Sequence, residues 1–382
     1  MHCGYGIHVC ERCKQLQSPN NSVIGISGAG PAGLSAALAV VKTGAQARVY
    51  ERKNNVGARF HGDFQGLENW TTESDVLEEL EQLGVTADFE YTPFHEVLCF
   101  APGGIERVVR SQRPLFYLLR RGQDSGTLDQ CLKQQALDAG VDIRFNESLS
   151  RLPRGGIVTE GPHRADAIAV GYLFDTDRAD AAYAAVSEQL APGGYAYLLI
   201  CSGRATLATC LFRDFHQERT YLQRCVDFFT AKTGIRMAAP RRFGGSGNFG
   251  LPKRVHKGGI LYAGEAAGFQ DPLFGFGIRW ALLSGAAAGR ALADRQPAAY
   301  ETFWKHRLRD YHKTAACNRW LYARLGDRGY RELLKHYPAA RDIRERMHHA
   351  YAPRLWKRLW YDIFLYRHQT AVLNIHHSCD CT

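Results

Sequence analysis

The sequence predicts an α/β fold: a parallel βαβ core, an inserted antiparallel sheet, and a helical C-terminal extension. Three observations predict it. Residues 22–27 form a short apolar strand. A glycine-rich turn follows, then a helix of small and apolar residues over 31–42 and a second strand over 47–51, the order and length of a βαβ unit. Further along, strand-like segments stand apart from helices. Residues 96–100 and 105–109 flank a Pro-Gly-Gly turn and read as a hairpin, while residues 172–174, 195–200 and 206–212 read as a β meander. From 299 to 370 the chain is helical in character and rich in Trp, Tyr and Arg.

The intervening elements follow from periodicity. Val76, Leu77, Leu80 and Leu83 share one face of a helix over 72–84, which Thr72 or Ser74 can cap. A helix over 127–139 leads to a strand over 141–145. A long helix covers 214–233, and a strand over 260–263 is followed by a glycine-rich turn and a helix over 277–293. The organisation expected is a polar, Cys-containing leader over 1–21; a cofactor domain from 22–93, 114–170 and 240–298; a substrate domain from 94–113 and 171–239; and a helical C-terminal region over 299–382 with a Cys-containing tail.

The chain has 382 residues, 45% of them hydrophobic and 23% charged, the composition of a globular protein. It holds no run of 18 apolar residues, so no spanning helix is expected, and its first residues lack the apolar core of a secretory signal. A cytoplasmic location is expected, with peripheral contact at the cytoplasmic membrane face. The net charge of +10 is concentrated: residues 301–370 hold 16 Lys/Arg against 7 Asp/Glu. Trp356, Trp360, Phe364 and the bases among them read as an interfacial helix. No nucleic-acid module accompanies the bases, so nucleic acid is not expected as a partner.

Eleven cysteines without an export signal argue against a disulfide framework. Six are scattered. At the termini, Cys10 and Cys13 form a CxxC, and Cys379 and Cys381 a CxC. If the chain ends meet, these four thiolates can hold zinc or an iron–sulfur cluster; otherwise they are reduced tails.

The chemistry is carried by Gly28-Ala29-Gly30-Pro31-Ala32-Gly33. This GxGxxG follows a strand, opens a helix, and is succeeded by an acid, Glu51, at the end of the second strand. Gly28 permits the tight turn. Gly30 lets the backbone approach a pyrophosphate, and Gly33 lets the helix pack on the strand. The phosphates then meet free N–H groups at the helix start. Glu51 accepts from a ribose diol and repels a 2′-phosphate. A second segment selects FAD over NAD. After a strand come Gly264-Glu265-Ala-Ala-Gly268 and Asp271-Pro-Leu-Phe-Gly275-Phe-Gly277-Ile278, the latter opening a helix. Glu265 suits the ribityl hydroxyls, and the N–H groups of Gly275, Gly277 and Ile278 suit negative charge on the reduced flavin. Arg52 and Arg59, after the ribose acid, complete the cofactor set. A Rossmann-like FAD-binding domain is therefore expected.

These segments, with Pro114-Leu-Phe-Tyr117-Leu-Leu-Arg120-Arg121, resemble the geranylgeranyl reductase family of FAD-dependent oxidoreductases, within the para-hydroxybenzoate-hydroxylase-like fold. Gly268 and Ile278 stand where the aromatic hydroxylases have His and Asn, which favours the reductase branch. Glu265 replaces the family's usual Asp. The resemblance implies reduction of isolated carbon–carbon double bonds of a prenyl lipid, with electrons from NAD(P)H, ferredoxin or another flavoprotein. It places Tyr117 beside flavin and substrate as a catalytic candidate, and either Arg120 or Arg121 toward the cofactor. His61-Gly62-Asp63 stands where archaeal members carry Cys-Gly-Glu, so His61 is the second catalytic candidate, as a proton donor. Tyr172, Phe174, Tyr195, Tyr197 and Leu199 are candidates for an apolar substrate wall. The alternative reading is a flavin-dependent monooxygenase or halogenase of an aromatic or polyketide substrate. A non-catalytic flavoprotein is the third, disfavoured by retention of both cofactor segments.

Overall fold

The computed structural model describes residues 23–149, 155–162, 165–252, 255–337 and 342–365. Among these, the parallel core is a six-stranded sheet in the order His256–Lys257, Ile260–Tyr262, Gly156–Val158, Ile24–Ser27, Ala47–Glu51, Asp142–Phe145. Only the His256–Lys257 pairing is antiparallel. Ile24–Ser27 therefore sits in the middle, and the glycine turn leaves its C-terminal end, where open α/β sheets bind ligands. The segment after 155 is a strand of this sheet, and Thr159 at its end donates to the carbonyls of Ser27 and Gly28 at 2.8 and 2.9 Å.

The helix Pro31–Val41 has Pro at its first turn and small residues on most faces. It lies against the helix Ile278–Ala293 closely enough that a Cβ on Gly285 would fall 2.0 Å from the Ala32 carbonyl oxygen, and one on Gly289 2.2 Å from that of Ala36. Backbone-to-backbone packing of this kind needs glycine. It joins the two cofactor segments, which stand more than 230 residues apart in sequence, into one rigid unit. Between 76 and 83 the expected amphipathic helix forms, burying Val76 and Leu80; its cap is Asp75 rather than Thr72 or Ser74, with Oδ1 accepting from the Leu77 N–H at 2.9 Å.

A seven-stranded sheet runs Ala238–Gly247, Ala167–Asp175, Arg204–Leu211, Tyr195–Cys201, Ala181–Ala185, Glu96–Ala101, Ile105–Arg110. The hairpin expected over 96–109 is its far edge. The meander is not sequential. Ala167–Asp175 pairs with Arg204–Leu211 rather than with its successor in the chain, and Ala181–Ala185 and Ala238–Gly247 are strands that the sequence reading lacked. The helix Glu218–Thr233 covers one face, burying Leu222, Cys225 and Phe229 against Ala196, Leu198 and Ile200. A third sheet, Phe64–Glu68, Phe116–Arg120, Tyr91–Phe94, is antiparallel. Its central strand contributes to two clusters: Phe116 and Leu118 belong to that of the seven-stranded sheet, Tyr117 and Leu119 to that of the cofactor domain. Beyond 297 the described chain is helical, with helices Pro297–Phe303, Arg309–Lys335 (broken at Gly326, φ +56°), Ile343–Tyr351 and Leu355–Trp360.

Candidate functional site

The glycine turn meets the geometric demands of a phosphate cradle. Gly28 has φ +99°, in the left-handed region, and its N–H donates to the Tyr50 carbonyl at 2.8 Å. A Cβ on Gly33 would fall 1.9 Å from the Gly28 carbonyl oxygen, so turn and helix touch through backbone alone. A Cβ on Gly30 would meet nothing within 4 Å: the space above the turn is open. No side chain caps the helix at Gly30, and its first turn, which includes Pro31, Ala32 and Gly33, carries no acid. An uncapped helix start facing open space is what an anionic group requires. Glu51 lies beside it. Its Oε2 accepts from the Ala29 N–H at 3.0 Å and its Oε1 from the Lys53 N–H at 2.9 Å, which leaves lone pairs for ribose hydroxyls. Arg52 is exposed and makes no ion pair among the described residues.

Glu265 stands on a single helical turn, Gly264–Ala267, whose first N–H donates to Ser284 Oγ at 2.9 Å. Its carboxylate accepts from Arg59 Nη1 at 3.1 Å and from the Asn248 N–H at 3.3 Å. Burial pushes this carboxyl above its usual range; Arg59 and the Asn248 N–H pull it back. The turn after it is built on Asp271, whose oxygens accept from the N–H groups of Leu273 and Phe274 and from the Tyr351 hydroxyl. The N–H of Gly275 donates to the Asp271 carbonyl at 2.8 Å and so is not available to a flavin. The anion-facing role expected of Gly275, Gly277 and Ile278 narrows to the last two, where Gly277 begins the helix without a side-chain cap.

Strand alternation separates Arg120 from Arg121. Arg120 pairs with Glu90 at 2.6 Å and reaches the Ser125 carbonyl. Arg121 is buried, holds both oxygens of Asp129 at 2.7 and 2.8 Å, and lies 4.1 Å over the Phe60 ring. Glu265 and Asp63 are close enough to favour its charge, so Arg121 is the arginine on the Glu265 side. His61 is exposed; its backbone N–H donates to Asp63 Oδ1 at 3.0 Å, and the next residue, Gly62, donates to the Arg121 carbonyl at 2.9 Å. Tyr117, the other catalytic candidate, is buried. Its hydroxyl donates to Asp75 Oδ2 at 2.9 Å and its ring packs in the cofactor-domain core, so strand alternation turns it away from the space beneath the seven-stranded sheet.

Tyr195, Tyr197 and Leu199 share one face of their strand, opposite the helix-covered face. Tyr195 Oη donates to the Phe274 carbonyl in the glycine-rich turn, and Leu199 joins the cluster of Trp70, Leu273 and Phe276. Tyr172 and Phe174 point the other way, into the cluster under Glu218–Thr233, and leave the candidate wall. Several residues at the site carry no local motif: Asn248, Tyr351, and the buried Arg279, which pairs with Glu79 at 2.6 Å and with Glu68 at 3.4 Å. The expected site at Cys10, Cys13, Cys379 and Cys381 lies outside the described residues; among those described, no group of three or more His, Cys, Asp or Glu is placed to hold a metal.

No family model matches the chain. A digeranylgeranylglycerophospholipid reductase of Methanocaldococcus jannaschii is 21% identical over 338 residues, which cover 75% of this chain and 83% of that protein. A geranylgeranyl bacteriochlorophyll reductase-like protein of Thermoplasma acidophilum aligns with TM-score 0.68 at 17% identity, over 91% of this chain and 98% of its own. A flavin-dependent brominase aligns with TM-score 0.62 at 14% identity, over 91% and 100%. The chain has the fold of FAD-dependent oxidoreductases, and the resemblance to the geranylgeranyl reductases read from its sequence is met by these similarities.

Proposed function

We propose that this chain is an FAD-dependent oxidoreductase that reduces carbon–carbon double bonds of a prenyl lipid. The residues fit the cofactor. An uncapped helix start faces the open space above Gly30, Glu51 lies beside it, and Glu265, Arg59 and Arg121 converge further along. When bound, FAD supplies hydride transfer at its ring. The chain supplies the rest. Gly28, Gly30 and the start of the helix hold the pyrophosphate, Glu51 the ribose, and Glu265 the ribityl hydroxyls. Gly277 and Ile278, at an uncapped helix start, would supply N–H groups for negative charge on the ring. His61, exposed beside Asp63 and Arg121, is the candidate proton donor to the second alkene carbon.

The observation that carries the substrate class is the sheet face fixed against the turn. Tyr195 is tied to Phe274, so the aromatic and aliphatic side chains of Tyr195, Tyr197 and Leu199 form a wall beside the segment that meets the ring. Such a wall excludes water and suits an apolar chain. The similarity to a digeranylgeranylglycerophospholipid reductase supports the same reading. A redox partner must supply the electrons: NAD(P)H, ferredoxin or another flavoprotein.

The test is anaerobic reduction of the purified, FAD-loaded protein followed by addition of a geranylgeranyl lipid. A mass gain of about 2 Da per reduced bond is expected. Fast reoxidation by oxygen with a hydroxylated product, and no mass gain under anaerobic conditions, would replace this reading with monooxygenase chemistry.

A further inference from the structure

The last described helix, Leu355–Trp360 with its continuation Tyr361–Leu365, is inverted. Its buried positions are Lys357 and Tyr361, four residues apart and 7% and 3% exposed. Lys357 Nζ donates to Asn318 Oδ1 at 2.6 Å and to the Ala350 carbonyl at 2.7 Å, so its charge is fastened inward. The opposite face presents Leu355, Trp356, Leu359, Ile363 and Phe364 to solvent, each more than half exposed. A helix packed on a water-soluble core shows the reverse pattern, and a contiguous exposed apolar surface marks an interaction site.

The surface continues onto the helix Arg309–Lys335. Trp320 meets Trp360 with ring centroids 5.2 Å apart, and Trp360 meets Phe364 at 4.5 Å. The guanidinium of Arg324 lies 3.8 Å over Trp320, next to the exposed Leu321 and Leu325. Arg324 and Arg354 are exposed and make no ion pair among the described residues. They stand within the region whose Lys and Arg outnumber Asp and Glu by 16 to 7. A second copy of the chain would bring this excess positive charge against itself. An anionic surface complements it.

We propose that this face docks on the surface of an anionic phospholipid bilayer, with Leu355, Trp356, Leu359, Ile363 and Phe364 seated at the boundary of headgroups and acyl chains and Arg324 and Arg354 against lipid phosphates. The docking does not depend on the reaction assigned above, and each stands if the other fails.

The test is co-sedimentation of the purified full chain with vesicles of equal parts phosphatidylcholine and phosphatidylglycerol, and with pure phosphatidylcholine. Binding to the anionic vesicles, weakened by added salt, is expected. The triple substitution Trp356→Ser, Leu359→Ser and Phe364→Ser lowers it by about tenfold or more while the protein remains folded, because about half of each side chain is already in solvent. If that variant does not fold, Arg324→Gln with Arg354→Gln serves, and lowers anionic binding by about tenfold. Failure to sediment with anionic vesicles overturns the proposal, as does equal binding by the substituted proteins. So does a concentration-dependent dimer that the triple substitution disperses, which assigns the face to self-association. Binding that emerges only when residues 366–382 are removed assigns it to the chain's own tail.

Discussion

The hydroxyl of Tyr351, at the end of the helix Ile343–Tyr351, donates to Oδ2 of Asp271 at 2.8 Å, in the turn that begins the second cofactor segment. Both residues are buried. Trp70 stands at the same junction, 4.7 Å from the Phe276 ring and 6.3 Å from that of Tyr351. Burial pushes the Asp271 carboxyl up to about 6, opposed by the N–H groups of Phe274 and Leu273 and by the Tyr351 hydroxyl. The C-terminal helices are thus a structural support for the segment that would meet the flavin. Tyr351→Phe removes one donor from a buried carboxylate and costs about 1–3 kcal/mol. The expected readouts are a lower melting temperature and a shifted visible spectrum of bound flavin. A spectrum identical to the parent's would restrict the pair to stability alone.

Gly30 separates cofactor binding from folding. A Cβ there meets no protein atom within 4 Å, so Gly30→Ala should change the stability of the flavin-free protein by no more than about 1 kcal/mol, the difference between glycine and alanine as a helix cap. The same methyl occupies the path of a pyrophosphate, so FAD affinity should fall by at least about tenfold. Fluorescence titration with FAD, beside thermal melts without it, measures both. Unchanged affinity would mean that no phosphate approaches this turn. Gly33→Ala behaves differently: its Cβ would fall 1.9 Å from a backbone oxygen, and the flavin-free protein itself is destabilised.

The two adjacent arginines should respond unequally. Asp129→Ala leaves Arg121 charged and buried without its carboxylate, a loss of about 3–5 kcal/mol. Arg121→Lys cannot restore two parallel bonds and the contact with Phe60, so it rescues little. Arg120→Ala removes a pair with Glu90, whose carboxylate is exposed although the arginine side chain is only 11% exposed, and should cost less than loss of the buried Arg121–Asp129 pair. Urea unfolding of the three variants orders them; comparable losses at 120 and 121 would contradict the difference between an exposed and a buried carboxylate partner.

That difference was not legible in the sequence, where Arg120 and Arg121 are equivalent until strand direction and face are known. What was legible was local. Gly28, Gly30, Gly33 and Glu51 lie within 24 residues, and each is demanded by the turn they form. Sheet order was not legible. Ala181–Ala185 consists of alanines around one tyrosine, and Ala238–Gly247 carries a proline and three glycines on a sheet edge, so neither shows strand alternation. Tyr117 lay in a matching motif, yet its role turned on Asp75, 42 residues away and outside that motif. The support of Asp271 by Tyr351 spans 80 residues and has no periodic trace.

His312 gives the fold a pH dependence of definite sign. It is buried among Phe269, Trp280 and Trp304, with Nδ1 3.0 Å from the Leu308 carbonyl, which can only accept, so the proton sits on Nδ1. Nε2 is buried without a partner. Burial pushes the imidazole down to about 4, with the Leu308 carbonyl opposing. Unfolded, it takes up its proton near 6.5. Between these values the unfolded chain binds more protons, so stability from this group is full above about 6.5 and is lost as pH falls toward 4, by about 3 kcal/mol in all. His312→Phe fills the same aromatic site without a titrating group. Other groups titrate alike in both proteins, so the difference between their unfolding free energies should shift in favour of the variant by this amount between pH 7 and pH 4. Chemical denaturation at a series of pH values measures it, and a difference independent of pH would show that His312 is not buried neutral.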